Sequence, residues 1–357
     1  MAKKIKVAVL MGGKSPEHEI SLMSGREVVS HLDPKKYEIL PVIISKDGSS
    51  WQLTSPAKLL NSKRDSVILR RKPKNLETLR YAQSDNREVQ DDNSYHVLKD
   101  NGIDIIFIAM HGPYGENGTI QGFLELLGIP YTGSGVLASA LAMNKLKSRK
   151  IFEAEGLNVP KTVVLKKGDG LDAVWEKLKP PVFVKPNSQG SSVGTFRVNN
   201  KKDLEKSVRL ALKLDTVCLV EEYLPGIEIT CTVLGNDKPK ALPLVEIVTK
   251  RDFFDYKAKY TENLTDEIVP ARISKILSEK ATEAAIKSYL ALGCRDFARV
   301  DIIIKENKVY ILELNTIPGL TPVSLFPKAA KAAGITYGRL IDKIIELALK
   351  RYDSQKL

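Results

Sequence analysis

The chain has 357 residues, room for two to three domains at about 150 residues each, and 43% hydrophobic with 27% charged residues argues against wholesale disorder. Fifty-five basic against 43 acidic side chains leave a formal charge of +12, yet the densest basic run, Arg70-Arg71-Lys72-Pro73-Lys74, lacks the interleaved aromatics of a base-stacking surface, so no nucleic-acid partner is expected. No apolar stretch approaches the ~20 residues of a membrane span, and three cysteines (Cys218, Cys231, Cys294) with no CxxC argue against a disulfide scaffold or zinc site and for a reducing, cytoplasmic compartment.

The chain starts basic and runs into Ile5–Leu10, an apolar run that meets Gly12-Gly13-Lys14 instead of a cleavage site; it reads as a buried strand and not a signal peptide. A helical pattern follows from Ile20 to Leu32, then a strand from Tyr37 to Ser45 and another from Ile103 to Ala109. Strands alternating with helices predict a doubly wound parallel sheet. The polar stretch between Ser45 and Tyr95 places no clear element. Helices are expected at Val136–Ala142 and Lys145–Ala154, with Asn144 capping the second. After Gly156 the character changes to short strands at Thr162–Leu165, Val182–Lys185, Thr195–Val198, Val217–Glu222, Glu228–Leu234 and Leu242–Val248, with one helix at Lys202–Leu214. Arg299–Ile304 and Val309–Leu314, separated by Lys305-Glu306-Asn307-Lys308, read as an antiparallel hairpin, and an amphipathic helix from Tyr337 to Leu349 closes the chain.

The hairpin is the most informative segment. Residues two apart on a strand share a face, so Arg299 and Asp301 point together, as do Glu313 and Asn315. Such a polar set among Val300, Ile302, Ile311, Leu312 and Leu314 is costly to bury unless ions occupy it. Asp, Glu and Asn oxygens suit Mg²⁺, while a cross-strand salt bridge on a solvated face explains the same spacing. Lys185, followed by the small-residue loop Asn187–Gly194, suits phosphate, with lysine as a point charge and backbone N–H groups able to approach closely. It is not a Walker A loop, and a plain hairpin turn explains its glycines equally well. Glu221 to Glu228 is an acidic strand end bent at Pro225-Gly226, either solvated or placed to accept from an adenine and ribose. Phe254–Tyr260 sits in a polar stretch that suits a lid, and the loops after the first and third strands, with His18 and His111, lie where open α/β sheets bind ligands.

In order along the chain, Gly-Gly with Glu-His-Glu-Ile-Ser-Leu, His-Gly-Pro-Tyr-Gly-Glu-Asn-Gly, Val-Lys-Pro with Gly-Ser-Ser-Val-Gly, Asp-Tyr-Lys-Ala-Lys-Tyr, Ala-Arg-Val-Asp and Glu-Leu-Asn-Thr-Ile-Pro-Gly-Leu-Thr resemble the D-alanine–D-alanine ligases of the ATP-grasp superfamily over nearly the whole chain. The resemblance implies an α/β and α+β ATP-grasp fold. Its domains are a Rossmann-like substrate domain over 1–133, a central subdomain over 134–219, and a C-terminal subdomain with lid and metal site over 220–357. It implies ATP-dependent ligation of two D-alanines through an acyl phosphate for peptidoglycan precursors, with a D-alanine–D-lactate ligase as the alternative. By the same resemblance, Lys145, Lys185 and a lid residue, Lys259, contact phosphates. Glu221, Glu222 and Leu224 form the adenine hinge, and Glu228 holds the ribose. Asp301, Glu313 and Asn315 hold two Mg²⁺ (or Mn²⁺). Glu19 meets the first D-alanine's ammonium with Ser191 and Tyr260 as partners, and His111 lies near that substrate. Arg299 and the Gly319 backbone face the developing oxyanion; Ser324 and Leu325 receive the second carboxylate. Tyr114 and Asn117 are unusual in the His-Gly loop. A homodimer is implied, without membrane attachment.

Overall fold

A computed structural model of the chain describes residues 3–61, 94–249 and 265–354. Lys259 and Tyr260, with the rest of the expected lid around Phe254, and most of the polar stretch after Ser45 lie outside the described residues.

The first sheet contains β1 (Ile5–Gly12), β2 (Tyr37–Ile44), β3 (Trp51–Leu53) and β4 (Ile105–Ile108) in the order β3-β2-β1-β4. β1 pairs in parallel with β2 and β4, and β3 adds an antiparallel edge. Val7 to Leu10 and Ile105 to Ile108 are completely buried, as parallel strands covered on both faces require. Helix α1 (His18–His31) follows the Gly12-Gly13 turn. Gly12 has φ +84°, and a Cβ there would lie 2.4 Å from the Ile44 carbonyl oxygen, so only glycine makes this turn. Short helices α2 (Pro56–Asn61), α3 (Ser94–Lys99) and α4 (Thr119–Leu127) complete the unit.

Helices α5 (Val136–Met143) and α6 (Lys145–Ala154) lead into an antiparallel sheet. Asn144 caps α6 as expected, its Oδ1 accepting from the Lys147 N–H at 3.1 Å. The second sheet is β5 (Thr162–Lys166), β8 (Val217–Glu222), β6 (Val182–Pro186) and β7 (Phe196–Val198) in that spatial order, with α7 (Asp172–Lys177) and α8 (Lys201–Ala211) beside it. β8 stays whole in this sheet through its pairing with β5 and β6. The expected boundary at 219/220 falls within this strand.

The third sheet runs β12 (Thr265–Ile268), β11 (Val245–Thr249), β9 (Ile227–Leu234), β13 (Phe297–Lys305) and β14 (Lys308–Asn315), with β10 (Lys240–Ala241) on β9. The β13–β14 hairpin turns at Glu306 and Asn307, both with positive φ, the geometry that matches a twisted two-residue hairpin. Helix α9 (Lys275–Ala291) covers this sheet and was not expected from the sequence. Its buried stripe is Ala281, Ala285, Ser288 and Tyr289, and with Ile276 and Leu290 exposed on the other side the helix shows no strong apolar period. Ala138, Ala142 and Phe152 of α5 and α6 belong to this sheet's core with Val300 and Ile311, although the sequence reading grouped them with the central subdomain.

Helices α10 (Leu325–Ala332) and α11 (Tyr337–Ser354) end the described chain. Leu340, Ile341, Ile344, Ile345 and Ala348 of α11 share one core with Val7, Val9 and Phe107, so the last helix covers the first sheet. Arg351 clamps this arrangement. Its guanidinium donates to the Gly133 and Tyr131 carbonyls at 3.1 and 2.8 Å and meets Asp296 Oδ2 at 3.1 Å.

Candidate active site

Two cavities meet in the middle of the molecule. The larger, about 450 Å³, lies between the second and third sheets, and Lys145, Lys185, Glu221, Leu224, Glu228 and Asp301 are among its walls. That size is typical of a cleft for a cofactor-sized molecule. The smaller, about 60 Å³, is walled by Glu17, His111, Ser191, Arg299, Asn315 and Gly319 among others. Glu313 borders both.

The cationic wall of the larger cleft grows out of α6 and β6. Lys145 and Arg149 stand one turn apart on α6 and so share a face. Lys145 Nζ donates to the Gln189 carbonyl at 2.7 Å and lies 3.3 Å from Glu313 Oε2. Asn187 ties the small-residue loop to the start of α6, its Oδ1 accepting from the Leu146 N–H at 2.9 Å. Ser191 and Ser192 in that loop hold positive φ (48° and 58°), a strained conformation of the kind that collects at functional sites.

Glu221 is buried between two cations, with Arg149 Nη1 and Lys185 Nζ each 2.7 Å from one of its oxygens. Burial disfavours its charged form, but Arg149 and Lys185 outweigh burial and hold its pKa below the ordinary carboxylate value. Burial pushes the Lys185 pKa down and Arg149 adds to this, against the pull of Glu221 and Glu313. Glu221, expected in the adenine hinge, lines the cleft with its carboxylate engaged by Lys185, the expected phosphate lysine. Glu222 accepts from the Lys161 N–H at 2.8 Å, and Leu224 is buried at the cleft wall.

The β13–β14 register sets Asp301 opposite Glu313 and Arg299 opposite Asn315. The expected shared face is present. Arg299 Nε and Nη2 donate to the two Asp301 oxygens at 2.9 Å each, and Asn315 Nδ2 donates to Asp301 Oδ2 at 3.2 Å. A bulge follows Asp301, where β13 shifts register against β14. Buried Thr230 on β9 donates to Asp301 Oδ1 at 2.9 Å or to the Val300 carbonyl at 3.2 Å. Among the described residues no three His, Cys, Asp or Glu side chains cluster as a metal site. The donor set here is two carboxylates and an amide where the two cavities join. It fits a hard cation that takes few protein oxygens and completes its shell with phosphate and water.

The smaller cavity is walled by Glu17 and not by Glu19. Glu19 lies on the exposed side of α1, whereas Glu17, just before the helix, is 6% exposed and faces the cavity. A Cβ on Gly190 would lie 2.7 Å from Glu17 Oε1, so glycine lets the loop after β6 close onto this carboxylate. The signal was available: Glu17 precedes the buried Ile20 and Ser21 by three and four residues and shares their face, as Glu19 does not. His111 is buried, its Nδ1 3.5 Å from Glu116 Oε1. Burial opposes its charged form, but the Glu116 and Glu17 carboxylates prevail and raise its pKa above the ordinary 6.5. Ser324 stands at the N-cap position of α10 with its Oγ turned away to Thr321 Oγ1 at 2.8 Å, and Leu325 after it is buried. The sequence reading also missed Arg149 and the buried serines of α1.

Two family models match the chain, described as the D-ala D-ala ligase N-terminus over residues 6–134 and the D-ala D-ala ligase C-terminus over residues 151–346. A D-alanine–D-alanine ligase of Desulforudis audaxviator is 41% identical over 97% of this chain and 99% of its own. The structure of a D-alanine–D-alanine ligase of Bacillus anthracis complexed with ATP is similar with TM-score 0.75 and 34% identity, over 98% of this chain and 99% of that one. The VanG D-Ala:D-Ser ligase of Enterococcus faecalis aligns with TM-score 0.79 and 34% identity, over 97% of this chain and all of that one.

Proposed function

The chain belongs to the D-alanine–D-alanine ligase family, and from that premise we propose that it joins two D-alanine molecules to D-alanyl-D-alanine, consuming ATP and releasing ADP and phosphate. The observation that carries this reading is the shared wall at Glu313: it borders both a cleft of nucleotide size and a small polar cavity, with lysines on one side and the Arg299 guanidinium on the other.

The chemistry follows from these groups. A carboxylate is a poor acyl donor, so the first D-alanine attacks the γ-phosphoryl group of ATP and becomes an acyl phosphate. In-line transfer of this kind needs position and charge neutralisation more than a covalent partner. Lys145 and Lys185 supply positive charge at the phosphate end of the cleft. Lys185 is pre-set for this by Glu221, which holds its Nζ at 2.7 Å while the second cation, Arg149, leaves the group with surplus positive charge. Asp301, Glu313 and Asn315 would hold Mg²⁺, or Mn²⁺, which when bound neutralises phosphate charge. Glu17, in the role the sequence assigned to Glu19, accepts from the ammonium of the first D-alanine, with Ser191 and His111 beside it. The amine of the second D-alanine then attacks the acyl phosphate, and phosphate leaves. Negative charge on the acyl oxygen is met by Arg299 and the Gly319 backbone, donors fixed before the reaction begins. Leu224, Glu222 and Glu228 form the far end of the cleft, where an adenosine fits. Ser324 and Leu325 at the start of α10 receive the second carboxylate. Lys259 and Tyr260 keep their expected roles as closing residues. A cytoplasmic setting, supported by three free cysteine thiols, and pairing into a homodimer complete the reading.

Phosphate release with ATP and D-alanine alone tests the proposal, followed by competition with D-lactate and with D-serine. Release with D-alanine alone, and dipeptide as the major product in competition at neutral pH, is expected. No ATP-dependent release with D-alanine, or preference for D-lactate, overturns it.

A further inference from the structure

Ser24 lies on α1, completely buried, one turn beyond Ser21. A buried helical serine that only fills space commonly donates its hydroxyl to a carbonyl of the preceding turn, and Ser21 donates in this way to the Glu17 carbonyl at 3.1 Å while also accepting from another segment. Ser24 instead reaches two other segments. Its Oγ lies 2.7 Å from His111 Nε2 and accepts from the Leu320 N–H at 3.3 Å. The other imidazole nitrogen, Nδ1, lies 3.1 Å from the Ile317 carbonyl. A carbonyl only accepts, so Nδ1 carries a hydrogen there. In the neutral ring Nε2 is then an acceptor and the Ser24 hydroxyl donates to it. In the charged ring Nε2–H donates to Ser24 Oγ. The contact persists in both states, and so does the anchor on Leu320.

We propose that Ser24 is a positioning residue that, through His111, fixes the segment Ile317–Leu320 and thereby sets Gly319 at the wall of the smaller cavity. The two ends of that segment are held by one hydroxyl from α1 and by the imidazole of His111, just after β4, and Pro318 and Gly319 between them border the cavity. Ser21 completes the device by accepting the His111 backbone N–H at 2.9 Å, which fixes the residue that carries the imidazole. The inference deepens the ligase reading, and rests on it, because a fixed Gly319 matters to catalysis only if its backbone faces the reacting acyl group.

The test uses the full-length protein and the variants Ser24→Ala and His111→Gln. In S24A, amide exchange in the peptide covering residues 316–324 accelerates by about tenfold or more, because the Leu320 N–H loses its acceptor. kcat falls by about tenfold or more while KM for ATP stays within about twofold, as misplacement of a group that acts late in the reaction predicts. S24A and H111Q together lose less than the product of their separate losses. Should S24A not yield folded protein, Ser24→Cys fills the same space with a weak donor and reads the same quantities. Unchanged exchange in 316–324 overturns the inference without any need for turnover, so it is separable from failure of the ligase reading. Losses that simply multiply, or kcat within about twofold of the parent, also overturn it.

Discussion

Replacing Glu221 by glutamine removes the one carboxylate between Arg149 and Lys185 while keeping the shape of the side chain. Glu221 and Arg149 are 3% and 4% exposed at their side chains and Lys185 is 14% exposed, so the two cations left behind have little water to turn to. Removing one partner from a buried ion pair costs about 3–5 kcal/mol. The lower figure applies here, since glutamine still accepts one hydrogen bond. At about 2–4 °C per kcal/mol for a domain of 150–250 residues, the melting midpoint drops by about 6–12 °C. Lys185, already pushed down by burial and by Arg149, also loses the nearest group holding its pKa up. Nucleotide phosphates supply negative charge to the same cleft and return part of the loss, so the rise in melting temperature on adding ATP is larger in E221Q than in the parent. Thermal unfolding with and without ATP reads both effects. Glu222→Gln is the control: its carboxylate meets the Lys161 N–H, a bond worth about 1 kcal/mol. E221Q melting within about 2 °C of the parent, or E222Q proving equally damaging, refutes the reasoning.

Glu313→Gln lowers turnover by about 100-fold or more with the fold intact by circular dichroism, since even groups beside a metal's ligands are worth about 10–100-fold; near-normal phosphate release contradicts the metal assignment. Glu17→Gln raises KM for D-alanine by about tenfold or more, the value of a hydrogen bond to a charged group, whereas Glu19→Gln leaves it within about twofold; initial rates against D-alanine concentration separate the two, and the opposite ranking returns the role to Glu19. His111 has a raised pKa in the folded protein, so its proton contributes stability below the ordinary 6.5 that is lost as pH rises through the raised value. Urea midpoints of the parent and His111→Gln therefore converge as pH increases through that window, and a constant or widening gap contradicts the assignment. Tyr260→Phe shifts the choice between D-alanine and D-lactate as second substrate more than it shifts stability, read by product ratios in competition; an unchanged ratio removes that role.

The parts of the fold carried by a strong period were readable in the residues. Arg299, Asp301, Glu313 and Asn315 alternate with aliphatic neighbours, so their common face followed from strand geometry alone; hydrogen bonds join Arg299 and Asn315 to Asp301, and the strand register sets Glu313 opposite it. Helix α9 escaped because its buried stripe is mostly alanine and serine, with Tyr289, while Ile276 and Leu290 face outward and blur the apolar period. Glu17 and Glu19 sit two residues apart at a helix start, about 200° around the axis, so the phase of α1 decides which faces inward. That phase follows from Ile20, Ser21, Ser24 and Val28, and reading the serines as polar surface hid it. The Glu221 ion pair depends on Arg149, 72 positions earlier in the sequence. No local pattern reports a contact made by packing α6 across the end of β8.

The course of the chain through the first sheet bears on its synthesis. Val7, Val9 and Phe107 are covered in part by Leu340, Ile341 and Ile344, residues translated more than 200 positions after Phe107. While the ribosome works through that interval, Val28 and Val29 of α1 cover only part of that flank of the earliest strands, and the rest awaits the terminal helix. Association of nascent chains through that flank, or shelter by a chaperone, competes until the terminal helix emerges. A stop codon before Leu340 accordingly leaves a chain that aggregates instead of a shortened enzyme.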